Sequence, residues 1–528
     1  MKQIWNIFRK DLRQFWREIV VTQALLVLYS WNDVRGWSGE RMVGYAGLAG
    51  IIDYRFLAGL TTVLLPMAWA FLIVRVVQAE ALVGDRQFWV TRPYEWKKLL
   101  AAKMLFVVLT INAPLLVADV LLLARAGFNP PHYIAGLLWM QLLISLALIL
   151  SILTLATVTA SVVQLILALL GVALYMSGVA WLASVMPSSG FSGPADSLER
   201  TLLIVTCVSV AFWQYARRKT TGSRWLIAAL ALAVVLIVVA TPYNSIVNRE
   251  FPRLEAGEPP PVRFALLPAA TNVDADTSER EQEVEIQLPL SVSGLSKDSI
   301  VVVSGFMVSL EAPNGLRWNS GWVSHGIELF PDNTDMQLPF NLKKSFFEQV
   351  KSASVKARIS LALTEHRDKN RREFVTPRGE FLLQDVGFCS AEPSYIRQIQ
   401  CRSPLRTPSS MLITSDLSAN TCPVREGESR AETRSIVRDW YRNSGSGRAG
   451  LGISPIKILD LYLWYRNRDE KKRTLVNGIC PGTPLVISNP EFVRQVGTEL
   501  DLSTFHLADY PFRQFTSSDG GFGIRIIH

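Results

Sequence analysis

Histidine and cysteine are scarce, at five residues each in 528. His132, His325, His366, His506 and His528 show neither H-E-x-x-H nor H-x-x-x-H spacing, so the common zinc centres have no ligand set here. No G-x-x-x-x-G-K-[ST] segment occurs either. Without that Gly-rich turn and its Lys and Ser or Thr, the chain has no P-loop for nucleotide phosphates. Gly445, Gly447 and Gly450 fit G-x-G-x-x-G, but a polar stretch precedes them and Pro455 soon follows. A dinucleotide motif needs a strand before it and a helix after it, so these glycines read as a flexible loop. Charged residues are only 19% of the chain against 49% hydrophobic, with a mean hydropathy of +0.23. That balance excludes a disordered chain and is too apolar for an ordinary soluble enzyme. No catalytic residue and no cofactor is expected. Glu365 and His366, within the charged stretch 364–372, read as a turn after a strand.

What the chain has instead is long apolar runs. Its length implies two or three folding units. Residues 1 to 242 hold 20 Lys and Arg against 11 Asp and Glu, while the remainder is balanced, so the net +9 lies in the first half. The basic residues interrupt apolar runs rather than lining one polar face, which points to membrane orientation and away from nucleic acid. A helix crossing about 30 Å of hydrocarbon needs about 20 residues. Seven spans are expected: a weak first one at 19–34, then 57–77, 99–124, 133–155, 162–185, 201–215 and 225–241. No charged residue occurs between Tyr133 and Ala195, a run long enough for two of them. Lys and Arg are retained on the cytoplasmic side. With the N-terminus inside, the inner connections carry 13 basic residues and the outer ones five. An odd span count then places everything after Pro242 outside the cytoplasm. The first apolar stretch lacks a small-residue cleavage site, so the N-terminus is expected to be retained.

In residues 1–18, Trp5, Phe8, Leu12, Phe15 and Trp16 recur at helical spacing among Lys2, Arg9, Lys10, Arg13 and Arg17. This predicts an amphipathic helix in the inner membrane interface, or an extension of the first span. Residues 19–242 form the membrane domain. Residues 243–282, rich in Pro and charge, are expected as a linker. Beyond them the apolar period becomes alternating, as in Val284, Ile286, Leu288 and again in Val355, Ala357, Ile359, Leu361, Leu363. Asn314-Gly315 between two apolar runs is a hairpin signal. Helices are expected only at 343–351 and at 429–441, the latter opening with a capping box at Ser429 and Glu432. The expected fold is thus an α-helical polytopic membrane domain followed by a β-rich, sandwich-like extracytoplasmic domain in two parts, 283–402 and 403–528. Cys207 lies in a span, whereas Cys389, Cys401, Cys422 and Cys480 all follow the last one. Two disulfides suit an oxidising compartment, with three pairings open; four reduced thiols in a cytosolic domain are the alternative.

The segment after the second span reads AEALVGDRQFWVTRPYEWKKLLAAKML, with an acidic start, an aromatic centre and a basic exit. It predicts a short cytoplasmic surface helix offering Phe88 and Trp89 to a partner. Together with the amphipathic N-terminal helix, this segment resembles the permease subunits of type-2 ABC exporters. In that family the loop commonly carries a Glu, a Gly, a Thr and Pro pair and a Leu-Leu-x-x-Lys start to span three. Glu80, Gly84, Thr91, Pro93, Leu99, Leu100 and Lys103 occupy those positions here. The resemblance covers about residues 1–224, and the seventh span with its C-terminal domain departs from the usual six-span plan. It implies coupling to a separate ABC ATPase subunit through Glu80, Gly84, Asp85, Phe88, Trp89, Thr91 and Pro93, and a homo- or heterodimer in the lipid bilayer of the cell membrane. A multispan anchor displaying a β-rich binding or sensing domain is the alternative.

Polar groups within spans mark pathways or helix contacts. Asn112, Asp119, Gln141 and Gln164 are the candidates, and Arg125 is near enough in sequence to pair with or snorkel beside Asp119. Pro66 and Pro114, mid-span, are expected to kink their helices.

Overall fold

The computed structural model describes residues 2–35, 37, 54–79, 95–185, 193–217, 220–240, 243–254, 258–268, 283–331, 335–384, 386–391, 399–405, 410–416, 436–442, 453–461, 464–466, 473–475, 481–510 and 512–514. The chain divides into two units. One comprises residues 1–178, 197–236 and 371–489, and the other 179–196, 237–370 and 490–528.

The N-terminal region is helical: α1 (Lys2–Gln14), α2 (Trp16–Arg35), α3 (Tyr54–Gln78), α4 (Trp96–Arg125), α5 (Pro130–Val158), α6 (Val162–Val185), α7 (Gly193–Arg217) and α8 (Thr220–Ala240). Among the described residues, five stretches are long and apolar enough to cross a membrane: Gly59–Gln78, Trp96–Arg125, Pro130–Val158, Val162–Leu182 and Thr220–Val239. The other two expected spans fall on α2 and α7, helices of 20 and 25 residues with more charge at their ends. α2 lies antiparallel to α3. Glu18 meets Arg75 at 3.9 Å near one end, and Asn32 Nδ2 donates to Thr61 Oγ1 at 3.5 Å near the other.

Two wide π turns interrupt the long helices, at Val108–Asn112 in α4 and Ser145–Ile149 in α5. The first precedes Pro114, which has no N–H for the Thr110 carbonyl one turn back. Gln23 of α2 donates to that oxygen instead, Nε2 to O 2.7 Å. At its far end α4 stops in a Schellman motif, in which Gly127 N–H donates to Ala124 O and Phe128 N–H to Leu123 O. Gly127 has φ +89°, a conformation that glycine adopts without a Cβ penalty.

The C-terminal region is β-rich. α9 (Tyr243–Glu250) and β1 (Arg263–Leu266) lie within the segment expected as a linker. They lead to β2 (Glu283–Ser293), β3 (Ser299–Glu311), β4 (Arg317–Asn319), β5 (Val323–Leu329), β6 (Asp335–Lys343), the helix α10 (Lys344–Val350) and β7 (Ser354–Arg367). Ten short strands follow: β8 (Arg372–Val375), β9 (Glu380–Leu383), β10 (Gly387–Ala391), β11 (Ile399–Pro404), β12 (Ser410–Asp416), β13 (Ile436–Arg442), β14 (Ile456–Leu461), β15 (Trp464–Arg466), β16 (Arg473–Leu475) and β17 (Pro484–Ser488). β18 (Glu491–His506) and β19 (Phe512–Gln514) close the order.

In the second unit, β18-β7-β3-β4 form one antiparallel sheet with β5 on β3, and β1-β2-β19 form another with β6 on β2. Alternation builds both. Val284, Ile286 and Leu288 of β2 and Leu338 and Leu342 of β6 share one core with Val301, Val303, Phe306, Ile359, Leu361 and Leu363 of β3 and β7. Each such side chain contributes about 1.5–3 kcal/mol by leaving water. The Asn314-Gly315 turn joins β3 to β4, with Glu311 opposite Arg317 and Gly315 at φ +82°. β3 is buried on both faces because α9 covers the second one: Val247 and Phe251 pack with Met307, Trp322 and Ala362. The chain leaving α9 runs so close to β18 that a Cβ on Gly497 would sit 2.8 Å from the Phe251 carbonyl oxygen. Thr364 to Arg367, expected as a turn, continue β7, and Glu365 accepts from Arg494 Nε at 2.8 Å.

β7 and β18 pair along almost their whole length, and residues 371–489 are inserted between them. The expected boundary between the two β-rich parts, at 402/403, falls inside this insert. Its strands group as β14-β11-β10-β9, as β13-β12-β17-β8 and as the pair β15-β16. The helix expected at 429–441 is corrected over its second half: Ile436–Arg442 is a strand, and 429–435 lie outside the described residues. Each of its seven residues has a partner on β12, and Ile436, Val437, Trp440 and Tyr441 are strand formers. Tertiary pairing overrides the helical spacing.

Candidate functional site

The coupling residues Glu80, Gly84, Asp85, Phe88, Trp89, Thr91 and Pro93 lie outside the described residues. Both flanks of their connection are described. At one, Gln78 Nε2 donates to the main-chain oxygen and the hydroxyl of Thr159, both at 3.2 Å, joining α3 to the end of α5. At the other, Glu95 precedes α4 and receives Lys98 at 2.7 Å. The ring of Trp96 meets Phe212 of α7 edge-on at 4.9 Å.

α1 packs against this same end of α4. Ile7, Phe8, Asp11 and Phe15 form its buried stripe, and Lys103 Nζ lies 2.7 Å from Asp11 Oδ2 with both side chains at least 99% buried. A pair at this depth is held by its own attraction, because either charge alone would be stranded. Lys103 ends the Leu-Leu-x-x-Lys pattern, and its physical role in this chain is to hold α1. Asp11 carries no separate signal in the sequence; only its place on the apolar face of an amphipathic helix hints at it.

A second polar group lies along α4 and α5. Gln141 Nε2 donates to Asp119 Oδ2 at 3.0 Å, and Asn112 Nδ2 donates to Ser145 Oγ at 2.6 Å, linking the two π turns. Asp119, Gln141 and Asn112 are thus interhelical contacts. The pairing of Asp119 with Arg125 is corrected: Arg125 is exposed and six residues along the helix, which turns it about 120° away from Asp119. Gln164 is exposed at the start of α6, where its Oε1 accepts from Ala160 N–H and its own N–H donates to Ser161 Oγ, capping that helix.

The insert meets the other end of α4. Ser454 Oγ donates to Asp33 Oδ2 at 2.8 Å, and its main chain bonds the hydroxyl of Tyr29. Ile453 joins the core of the helices, while Ile456 packs with Leu122, Leu123, Leu137 and Trp37. The Phe388 ring meets that of Phe128 at 5.2 Å with a 53° tilt, beside Gly127. The next residue on the same strand, Cys389, faces Cys401 across β10 and β11, and the two form a disulfide. Cys422 and Cys480 lie outside the described residues, and Cys207 is a buried free thiol in α7.

The helical unit therefore carries α1 and the flanks of the 80–94 connection at the Trp96 end of α4, and the insert at its Arg125 end. No family model matches this chain, and no curated protein matches it.

Proposed function

We propose that this chain is the membrane-spanning subunit of an ATP-driven exporter of the ABC type, working with a separate ATPase and assembling as a dimer. The observation that carries the reading is the separation just described. The amphipathic helix and the described flanks of the 80–94 connection share one end of the helices, as a motor-facing side requires, and the disulfide-bearing insert packs on the opposite end. α2 lying antiparallel to α3, with contacts near both ends, supports its crossing the bilayer as well. Seven crossings then leave the N-terminus in the cytoplasm and the β-rich region outside it. In this reading ATP is hydrolysed by the partner, and Glu80, Gly84, Asp85, Phe88, Trp89, Thr91 and Pro93 form the docking loop.

Two measurements test it. A pull-down with the full chain recovers an ATPase, and the F88A/W89A variant loses it; an unchanged yield removes the loop from the interface. A reporter fused after His528 is accessible from outside intact cells; signal only from inside reverses the topology.

A second reading is favoured by the contacts of Ser454 and Ile453 with the helices: an anchor that senses through its insert and passes strain to α2. It predicts membrane insertion with the same orientation and no ATPase in the pull-down.

A further inference from the structure

α1 presents three faces. The first is the buried stripe of Ile7, Phe8, Asp11 and Phe15 against α4. The second is an exposed apolar line, Trp5 and Leu12, with Trp16 following at the start of α2, at exposures of 55, 38 and 56%. At 100° per residue Trp5 and Leu12 fall within about 20° of each other. The third, continuing round the helix, is an exposed cationic line of Lys2, Arg9, Arg13 and, just past the helix, Arg17. The neighbouring carboxylates are engaged elsewhere, Asp11 with Lys103 and Glu18 with Arg75.

The same arrangement recurs around this end of the helices. The Arg17 guanidinium lies 5.6 Å from the Trp16 ring, Lys97 5.6 Å from Trp96 and Arg217 4.4 Å from Trp213. Arg224 and Trp225, exposed at the start of α8, extend it. Tryptophan settles at the boundary of headgroup and acyl chain, and long basic side chains beside it reach up to the headgroups. A strip of cations held at that depth with no carboxylate on its own face is attracted more strongly to net-negative headgroups than to zwitterionic ones.

From this geometry we infer that the cationic face of α1, with the Trp-associated basic residues beside it, binds anionic phospholipid of the leaflet in which α1 lies. The inference rests on the membrane reading above. It adds a ligand class, and it explains why α1 is locked to α4 by a buried ion pair: the lipid-binding face then holds a fixed orientation at the Trp96 end of α4.

The test uses the full chain reconstituted in phosphatidylcholine bilayers with trace spin-labelled phosphatidylglycerol or phosphatidylcholine, reading the motionally restricted fraction of each probe. Wild type is expected to restrict the anionic probe preferentially, on the order of fivefold per contacting charge at the sites involved. The preference falls towards unity at 1 M salt, where the Debye length is about 3 Å. The triple variant R9Q/R13Q/R17Q loses most of it, whereas R125Q, at the other end of α4, keeps it. Equal restriction of the two probes by wild type overturns the inference and leaves the membrane reading standing. So does a preference that survives the triple variant, which would place the anionic-lipid contacts on residues other than this strip. No restriction of either probe overturns the membrane reading itself. The salt series on wild type decides the matter even if the triple variant does not fold.

Discussion

The helical region and the two-sheet region place their apolar and charged residues in opposite ways. In the sheets, Val284, Leu361 and Phe306 are sealed inside, and charges such as Arg358–Asp501 and Arg317–Glu311 sit outside as exposed pairs. In the helices, Leu174 and Trp181 of α6 and Trp225 of α8 face outward at 67–75% exposure, and the polar contacts Asp11–Lys103, Asp119–Gln141 and Asn112–Ser145 lie between helices. The two regions thus sort their side chains by opposite rules. One chain therefore carries two hydrophobic codes, separated near residue 242.

Four measurements break or sharpen that contrast. The largest effect is expected at the buried ion pair: Asp11→Ala strands Lys103 and lowers stability by about 3–5 kcal/mol, while D11L/K103M recovers most of it. Thermal unfolding in detergent reads both, and a silent Asp11→Ala means that the pair is wet. Next is Leu174→Asp, which opposes membrane insertion by about 2.5–3.5 kcal/mol if it lies near mid-bilayer. Lys356→Asp, on the exposed face of β7, is expected to change stability by about 0.5 kcal/mol or less. Comparable effects in the two variants would erase the distinction between the two regions. Third, Gly497→Ala forces a Cβ against the Phe251 carbonyl and costs about 1–3 kcal/mol. Faster proteolysis between α9 and β1 checks it.

The smallest effect is a pH dependence at the neck of the insert. Lys369, by hydrogen bond and charge, holds the Glu491 carboxyl below its ordinary range. The folded value is depressed, so the stabilisation is present above the ordinary glutamate value of about 4.3 and is lost as pH falls through the lower folded value. The gap in Tm between wild type and Glu491→Gln should be small, because both partners are exposed, and should close in acid. A gap that widens in acid contradicts the pairing.

Much of this was legible from local pattern. Alternation located β2 and β7, Asn314-Gly315 located the hairpin, and the helix at 343–351 is α10, within a residue at either end. What escaped depended on partners far along the chain. Residues 436–442 are a strand because β12 lies beside them. α9 belongs to β3 and its neighbours because Gly497 opens a place for it. In the helices, Asn112 and Gln141 have interhelical partners, but Gln164 has the same chemistry and only caps a helix, which no composition rule separates. Lys103 stood in the sequence pattern without its reason, because Asp11 is 92 residues away.

By itself the sequence determined the two patterns: runs of about 20 apolar residues make helices long enough to cross a bilayer, and alternating ones bury one face of a sheet. Only the tertiary structure decided that residues 371–489 interrupt a pair of neighbouring strands, that Asp11 meets Lys103, and that Ser454 reaches Asp33. Those are pairings between positions far apart in the chain, and periodicity, which reports the environment of each residue, says nothing about which distant residue supplies it.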